Sequence, residues 1–361
     1  MHPLDNELRK LFPDARRGIF YIGASVTAQK EGFRPKLHSL ICEETQQALP
    51  MYVDALGGVG SLFGLANWEF VDEALKKNSQ MILFEYSTGD LNIGITPLNI
   101  LSQVLDEYFS RLSQYQVPVF VVHNFRSDFP GQKGKLIRDV YDAAAIRYGF
   151  YVINVFELVE RAIASDREWL NTHYRDHVHM TEKGADVIAN WILAGIKAAL
   201  GTQHATNFSP PPRRSEAPFS TLQLIGARGI LNSEPDGELT YAASGQGFSY
   251  IEIRADRPLE FMLKGRVYGL MLIIGPESCY LNIEVDDVPV CKVLSFDRNC
   301  HYDRPHCFPI RIDLTNKSRV KLSHASDPID FTILTRPTSR TKNPRLLKFV
   351  GIVGTEVEAG A

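Results

Sequence analysis

Short apolar runs and longer amphipathic stretches alternate along the first 200 residues of this 361-residue chain. The apolar runs are too short for typical helices and are rich in β-branched and aromatic residues, which is typical of buried parallel strands. Five strands are predicted, at Ile19–Ile22, Met51–Ala55, Met81–Tyr86, Val117–Val122 and Tyr151–Val155. Between them apolar residues recur three or four apart, as at Leu101, Leu105, Tyr108 and Leu112, which indicates helices. This alternation predicts a doubly wound α/β domain over residues 1–200.

The pattern changes after Leu200. The segment 201–220 contains three consecutive prolines, which cannot continue a helix, and is predicted to be a linker. Beyond it, apolar and polar residues alternate with a period of two, as at 249–254 and 281–286, which predicts an all-β sandwich over 221–345. The remaining residues, 346–361, are expected to be a tail or a truncated further unit, or else simply the last strand.

Composition and charge narrow the classes of partner. Hydrophobic residues make up 44% of the chain, charged residues make up 22%, and the formal net charge is -3 at pH 7. This charge gives no strong field for nucleic acid or an anionic membrane, and no apolar run approaches the roughly 18 residues that span a bilayer. The first residues lack the apolar core of a secretion signal. We therefore expect a cytoplasmic protein with no nucleic-acid or membrane partner, in which the five cysteines are reduced.

Doubly wound sheets bind ligands outside the carboxyl ends of their strands, so residues at those ends are candidate site residues. Ser25 follows the first predicted strand where a helix should begin, which exposes its hydroxyl beside the first helical amides. Taken alone, this position is more typical of a serine that only caps a helix. The second strand runs into Gly57, Gly58 and Gly60, where a bare amide can hold an oxyanion. An ordinary glycine-rich turn is the alternative there.

Polar residues also follow the third and fourth predicted strands. Asp90 and Asn92 come after the third strand, where they would line a site or cap the next helix. His123, Asn124 and Arg126 come directly after the fourth strand and are placed to contact a substrate. Ordinary loop polarity is the alternative for these three residues.

The loop before the last helix of the α/β domain carries the most specific pattern. Asp176 precedes His179 by three residues, so its carboxylate can bind one ring nitrogen while the other nitrogen faces a serine. A Ser-His-Asp triad orients its base in this way. The alternatives are surface polarity and a zinc site formed by His173, His177 and His179. Because no cysteine or carboxylate frame accompanies these histidines, no metal is expected.

Taken together, these segments resemble the conserved blocks of the SGNH or GDSL hydrolase family, in their order and at the same strand ends, over about residues 16–200. The resemblance implies a flavodoxin-like sheet and a serine hydrolase that acts on ester bonds. It implies Ser25 as nucleophile, His179 as base and Asp176 as the acid that orients the base. It also implies an oxyanion hole formed by the amides of Ser25 and Gly60. The second half is similar to jelly-roll modules that accompany some carbohydrate esterases of this family.

Two positions depart from the family pattern. The first block is usually Gly-Asp-Ser, and Ala24 stands here in place of the aspartate. The third block usually ends in Asn-Asp, and Gly89 stands in place of the asparagine that donates to the oxyanion. Loss of one such donor typically costs ~10²–10³ in rate. Either Asn92 or another group replaces the donor, or catalysis is slow, or it has been lost.

Three functions are consistent with this pattern. The first is an esterase that removes small acyl groups, such as acetyl, from a carbohydrate without a cofactor. The second is an O-acyltransferase that passes the same acyl group to a sugar hydroxyl and would need a donor such as acetyl-CoA. No phosphate-cradling glycine loop for such a donor is evident. The third is a catalytically impaired carbohydrate-binding or scaffold protein, which the glycine at position 89 suggests.

Overall fold

The computed structural model describes residues 8–93, 98–128, 132–201, 222–241, 246–296, 300, 302–334 and 345–360. The chain divides into two compact units, Met1–Ala217 and Pro218–Ala361. All of the predicted linker 201–220 except Gly201 lies outside the described residues.

The first unit is built on a five-stranded parallel sheet with the order β2-β1-β3-β4-β5. Its strands are β1 (Gly18–Gly23), β2 (Met51–Ala55), β3 (Ser79–Glu85), β4 (Val119–His123) and β5 (Tyr151–Asn154). This order is that of flavodoxin-like doubly wound sheets. The predicted α/β fold is therefore confirmed.

Helices cover both faces of this sheet. They are α1 (Ser25–Ala28), α2 (Phe33–Thr45), α3 (Ser61–Ala66), α4 (Trp68–Asn78), α5 (Ser87–Ile93), α6 (Leu98–Ser113), α7 (Gln132–Arg147), α8 (Val155–Ser165), α9 (Trp169–His173) and α10 (Glu182–Gly201). None of the described helices is both long enough and apolar enough to cross a membrane.

Burial on both faces explains why the strands read as continuous apolar runs rather than as alternating ones. Tyr21 of β1 belongs to the core cluster that includes Leu37 of α2 and Ile188 of α10. In β3, the ring of Phe84 packs against Tyr108 and Phe109 of α6, with centroids 4.9 and 5.0 Å away. The resulting rigid sheet carries its loops at the carboxyl edge, where the candidate residues lie.

The second unit is one curled antiparallel sheet of eight strands, and the short helix α11 (Ala227–Leu231), which follows the first strand, packs into its core. The strands are β6 (Gln223–Gly226), β7 (Gly237–Tyr241), β8 (Gln246–Ile253), β9 (Leu259–Ile274), β10 (Tyr280–Val285), β11 (Val288–Leu294), β12 (Arg304–Ala325) and β13 (Leu347–Gly360). The all-β prediction is confirmed, whereas the jelly-roll arrangement stays a prediction. The five cysteines of the chain are free thiols, and Cys279, Cys300 and Cys307 are buried.

The end of the chain matches one of the alternatives expected for it. Segment 346–361 was expected to be a tail or a truncated unit, or else the last strand, and most of it forms the strand β13, which lies inside the sheet between β9 and β8. Phe349 and Ile352 of this strand are buried in the core of the second unit. The segment therefore completes this sheet, and its apolar run reflects burial between two neighbouring strands.

Candidate active site

Ser25 lies at the carboxyl end of β1 as the first residue of α1. The turn before it is fixed by two backbone hydrogen bonds, from the Ala24 amide to the Glu85 carbonyl (2.9 Å) and from the Leu56 amide to the Gly23 carbonyl (3.1 Å). The capping position of α1 is occupied by Ala24, so Ser25 is not the helix cap that its sequence position also suggested. Its side chain is half-buried, whereas the next three residues of α1 are buried.

The loop 174–181 carries the other two candidate catalytic residues, Asp176 and His179, and holds their side chains in contact. Nδ1 of His179 lies 2.8 Å from Oδ2 of Asp176. The other carboxylate oxygen accepts the backbone amides of Val178 (2.9 Å) and His179 (2.7 Å). Partial burial raises the pKa of Asp176, but the hydrogen bonds from His179 and Val178 outweigh it and bring the pKa well below its usual value. The carboxylate therefore stays ionised and fixes the proton on Nδ1, which leaves Nε2 as the basic nitrogen.

Backbone pairing shapes this loop into a short antiparallel turn. The Arg175 amide donates to the His179 carbonyl and the Thr181 amide donates to the His173 carbonyl, each at 2.9 Å. Thr181 then caps α10, because its hydroxyl accepts the Gly184 amide at 3.1 Å. The imidazole of His179, with 23% of its side chain exposed, is thus presented by a loop whose two ends are paired through backbone hydrogen bonds.

Two contacts fasten this loop to the carboxyl edge of the sheet. The Ser127 amide, in the segment after β4, donates to the His177 carbonyl at 2.9 Å. The side chain of Gln29, directly after α1, bonds to the backbone of Met180. Among the described residues, no hydrogen bond joins Ser25 to His179, as is common in enzymes without bound substrate. The two segments are nevertheless tied together through Gln29.

Gly60 stands at the capping position of α3, directly after the glycine-rich turn. Gly58 has a φ of 79°, a conformation that favours glycine, so the turn has a structural requirement of its own. Asp90 fixes the far side of this turn, because one carboxylate oxygen accepts the Ser61 amide at 3.0 Å and the other accepts the Tyr141 hydroxyl. Burial raises the pKa of Asp90 to about 6, against the effect of these hydrogen bonds. Asp90 thus supports the Gly60 turn from within the protein.

Gly89 occupies the place of the family's asparagine, and the structure explains why it is glycine. A Cβ atom added to Gly89 would lie 2.2 Å from the Val59 carbonyl oxygen and 3.0 Å from the Cβ of Ala24. Val59 directly precedes Gly60, and Ala24 directly precedes Ser25. The two departures from the family pattern, at 24 and 89, are therefore neighbours in space, packed against the turn that carries Gly60.

We expect Gly89→Ala to lower both stability and activity, and Gly89→Asn to fail to raise the rate. Either side chain must push the Val59 carbonyl away, at a cost of at least ~1–3 kcal/mol, because overpacking forces backbone shifts. Chemical unfolding and kcat/KM for an aryl acetate measure the two effects. Gly229→Ala is the control, because its Cβ would meet only Ile225, at 3.9 Å. Wild-type stability and activity in Gly89→Ala would contradict this explanation.

The candidate substrate contacts at the end of β4 and directly after it are buried in this structure. His123 is fully buried and its Nε2 lies 2.7 Å from Oδ1 of Asp142. Arg126 is buried and donates to the Thr88 carbonyl (3.1 Å) and to both carboxylate oxygens of Asp128. Asn124 is also buried, and neither atom of its amide has a hydrogen-bond partner among the described residues. Through these bonds His123 and Arg126, like Asp90, hold neighbouring segments together, and none of the three candidate side chains lies on an open surface.

The remaining candidates are Asn92 and the histidines considered as zinc ligands. Asn92 lies in α5, but its side chain falls outside the described residues, so the structure does not test it as an oxyanion donor. Of the histidines considered for zinc, His173 stacks on Trp169 and bonds to its carbonyl at 2.7 Å. Within the described part of the chain, no group of three or more His, Cys, Asp or Glu side chains is arranged to hold a metal ion.

One supporting residue was missed at the sequence level. Glu85 ends β3 and is buried, with its carboxylate accepting the hydroxyls of Thr27 in α1 (3.1 Å) and Thr88 in α5 (2.6 Å). Burial raises the pKa of Glu85 to about 7, although these hydrogen bonds oppose the effect. The sequence signal that could have indicated its role is a single acidic residue at the end of an apolar run. Glu85 therefore joins α1, which begins at Ser25, to α5, which contains Gly89.

Comparison with solved structures finds this fold elsewhere. A two-domain esterase (CEX) active on acetylated mannans aligns with 98% of this chain and 96% of its own, at 15% sequence identity and a TM-score of 0.67. A structure of that esterase co-crystallized with mannopentaose aligns with 98% of this chain and 95% of its own, at 13% identity and a TM-score of 0.69. At these identities the likeness shows the fold. No protein-family model and no curated protein matches the chain by sequence.

Proposed function

We propose that the first unit is a serine esterase that uses Ser25, His179 and Asp176. The observation that carries the proposal is the 2.8 Å contact between His179 and Asp176, in a loop tied to the helix that begins at Ser25. A charged carboxylate on Nδ1 makes the other ring nitrogen a base and stabilises the imidazolium that forms when it accepts a proton. Ser25 is a suitable nucleophile because its hydroxyl is half-buried and does not cap its helix.

The reaction follows from these positions. Ser25 Oγ attacks the ester carbonyl carbon while His179 Nε2 accepts the hydroxyl proton. The resulting oxyanion is held by the amides of Ser25 and Gly60. His179 then gives the proton to the leaving alcohol, and the acyl group remains on Ser25. Water attacks the acyl-enzyme with His179 again as base, which releases the acid and restores the serine. No step requires a cofactor.

We propose an acetylated carbohydrate as the substrate. The support is the shared fold over nearly the whole chain with an esterase active on acetylated mannans. Gly89 packs against both Ala24, which directly precedes Ser25, and Val59, which directly precedes Gly60. This close packing beside the nucleophile favours a small acyl group over a long chain.

The test measures acetate release from acetylated manno-oligosaccharides and acetylated xylo-oligosaccharides, and hydrolysis of a series of aryl esters from acetate through butyrate to octanoate. We expect free acetate from an acetylated oligosaccharide and a fall in kcat/KM as the acyl chain lengthens. Transfer of acetyl to an added sugar faster than release to water would identify an acyltransferase instead. Binding of the oligosaccharide without turnover would identify a scaffold protein and contradict the proposal.

A further inference from the structure

Gln29 makes an unusual pair of hydrogen bonds across the site. Its side-chain Nε2 donates to the Met180 carbonyl at 2.9 Å, and its Oε1 accepts the Met180 amide at 3.3 Å. Gln29 comes four residues after Ser25, and Met180 comes directly after His179. One side chain therefore links the two chain segments that carry the proposed nucleophile and base.

The two bonds reproduce the pairing that a neighbouring strand would make. Met180 forms an isolated antiparallel bridge with Tyr174 on one side. On its other side, the Gln29 amide supplies one donor and one acceptor to the same residue. Both partners are buried, with Gln29 8% exposed and Met180 1% exposed. Because water cannot easily replace bonds in such a place, the link should hold the loop at a fixed position.

We infer that Gln29 is a positioning residue, which sets the place of His179 relative to Ser25. This inference rests on the proposed function, since it requires these two residues to act together. Asp176 orients the imidazole within its own loop, and Gln29 locates that loop against α1. A displacement of about 1 Å between catalytic groups can cost ~10²-fold in rate, so a link of this kind has a direct effect on turnover.

The test compares Gln29→Leu with a matched variant, Gln80→Leu. Gln80 is buried to a similar degree (6% exposed) and its Nε2 also bonds to a backbone carbonyl, that of Asp14, at 2.7 Å. It lies near the start of β3, at the edge of the sheet away from Ser25. Both variants lose a buried glutamine bond, so both should lose stability, but only Gln29→Leu should affect the site.

We expect Gln29→Leu to lower kcat for an aryl acetate by ~10–100-fold with KM within about twofold, because the base is displaced while acyl binding is retained. The Met180 amide should also exchange with deuterium faster in Gln29→Leu than in the wild type or Gln80→Leu. Faster exchange shows that the link holds the loop, and the selective loss of kcat shows that its position matters for the reaction.

Unchanged Met180 exchange in Gln29→Leu, or a kcat no lower than that of Gln80→Leu, would overturn the inference. Ser25→Ala is measured in the same series. Full turnover by Ser25→Ala would show that the proposed function itself has failed. Loss of turnover by Ser25→Ala, together with wild-type kcat in Gln29→Leu, would overturn the role of Gln29 alone.

Discussion

Replacing Ser25 with alanine should lower kcat/KM for an aryl acetate by ~10⁴–10⁶-fold, as removal of the nucleophile does in serine hydrolases. No acyl-enzyme can form without Oγ, and the oxyanion amides leave only a residual rate. The free energy of unfolding should stay within about 0.5 kcal/mol of the wild type, because the half-buried hydroxyl neither caps α1 nor bonds to another described residue. Steady-state kinetics and chemical unfolding of the same preparations measure both quantities.

Ser165→Ala is the control for this prediction. Ser165 is an exposed serine at the end of α8, where its hydroxyl donates to the Ala162 carbonyl at 2.8 Å. It should keep full kcat/KM. Turnover by Ser25→Ala at the wild-type rate would remove Ser25 from the mechanism, and equal losses in both variants would point to a general effect on the preparation.

The second large loss of activity is expected for Asp176→Asn. Its kcat should fall by ~10³–10⁴-fold, as it does when the aspartate of a Ser-His-Asp triad is replaced in other enzymes. The amide oxygen can still accept the backbone amides of Val178 and His179, so the loop should keep its shape. The amide nitrogen, however, cannot accept the Nδ1 proton of His179. The imidazole then loses the partner that fixes its tautomer and stabilises its charged form.

The pKa of Asp176 adds a condition to this prediction. Because the folded-state pKa lies below its usual value, the pair stabilises the folded protein above the unfolded pKa, near 4, and this contribution is lost as the pH falls through the folded pKa. Asp176 is therefore ionised at both pH 6 and pH 8, and Asp176→Asn should be defective at both values. A defect that vanishes at one of these values would contradict the role of the carboxylate.

Asp142→Asn provides the matched comparison, because Asp142 also contacts a histidine, His123, at 2.7 Å. This pair lies between β4 and α7 and takes no part in the proposed reaction. We expect less than a tenfold change in kcat for Asp142→Asn. Equal defects in the two aspartate variants would mean that Asp176 acts through the structure alone.

The sequence predicted most of the first unit because each of its elements has a strong local pattern. The five strands are short and mostly apolar, which follows from burial on both faces of a parallel sheet. Candidate site residues could be chosen because parallel strands bring their carboxyl ends to one edge. The contact between Asp176 and His179 was also accessible, since it forms within one loop of four residues.

Contacts between distant segments could not be predicted in the same way. The Gln29–Met180 link joins residues 151 positions apart, and a glutamine after a serine helix has no distinctive pattern. The packing of Gly89 against Val59 and Ala24 likewise depends on three loops meeting at the sheet edge. The final strand β13 was ambiguous because its apolar run has the same pattern whether it begins a new unit or completes an existing sheet.

Covalent trapping tests the central claim, that Ser25 is the nucleophile, most directly. The intact chain is treated with a serine-directed fluorophosphonate, digested, and analysed by mass spectrometry for the modified peptide. We predict one adduct, on Ser25, with labelling lost in Ser25→Ala and slowed in Asp176→Asn, because His179 must activate the hydroxyl. Labelling of another serine, or no labelling of an enzyme that releases acetate, would contradict the account.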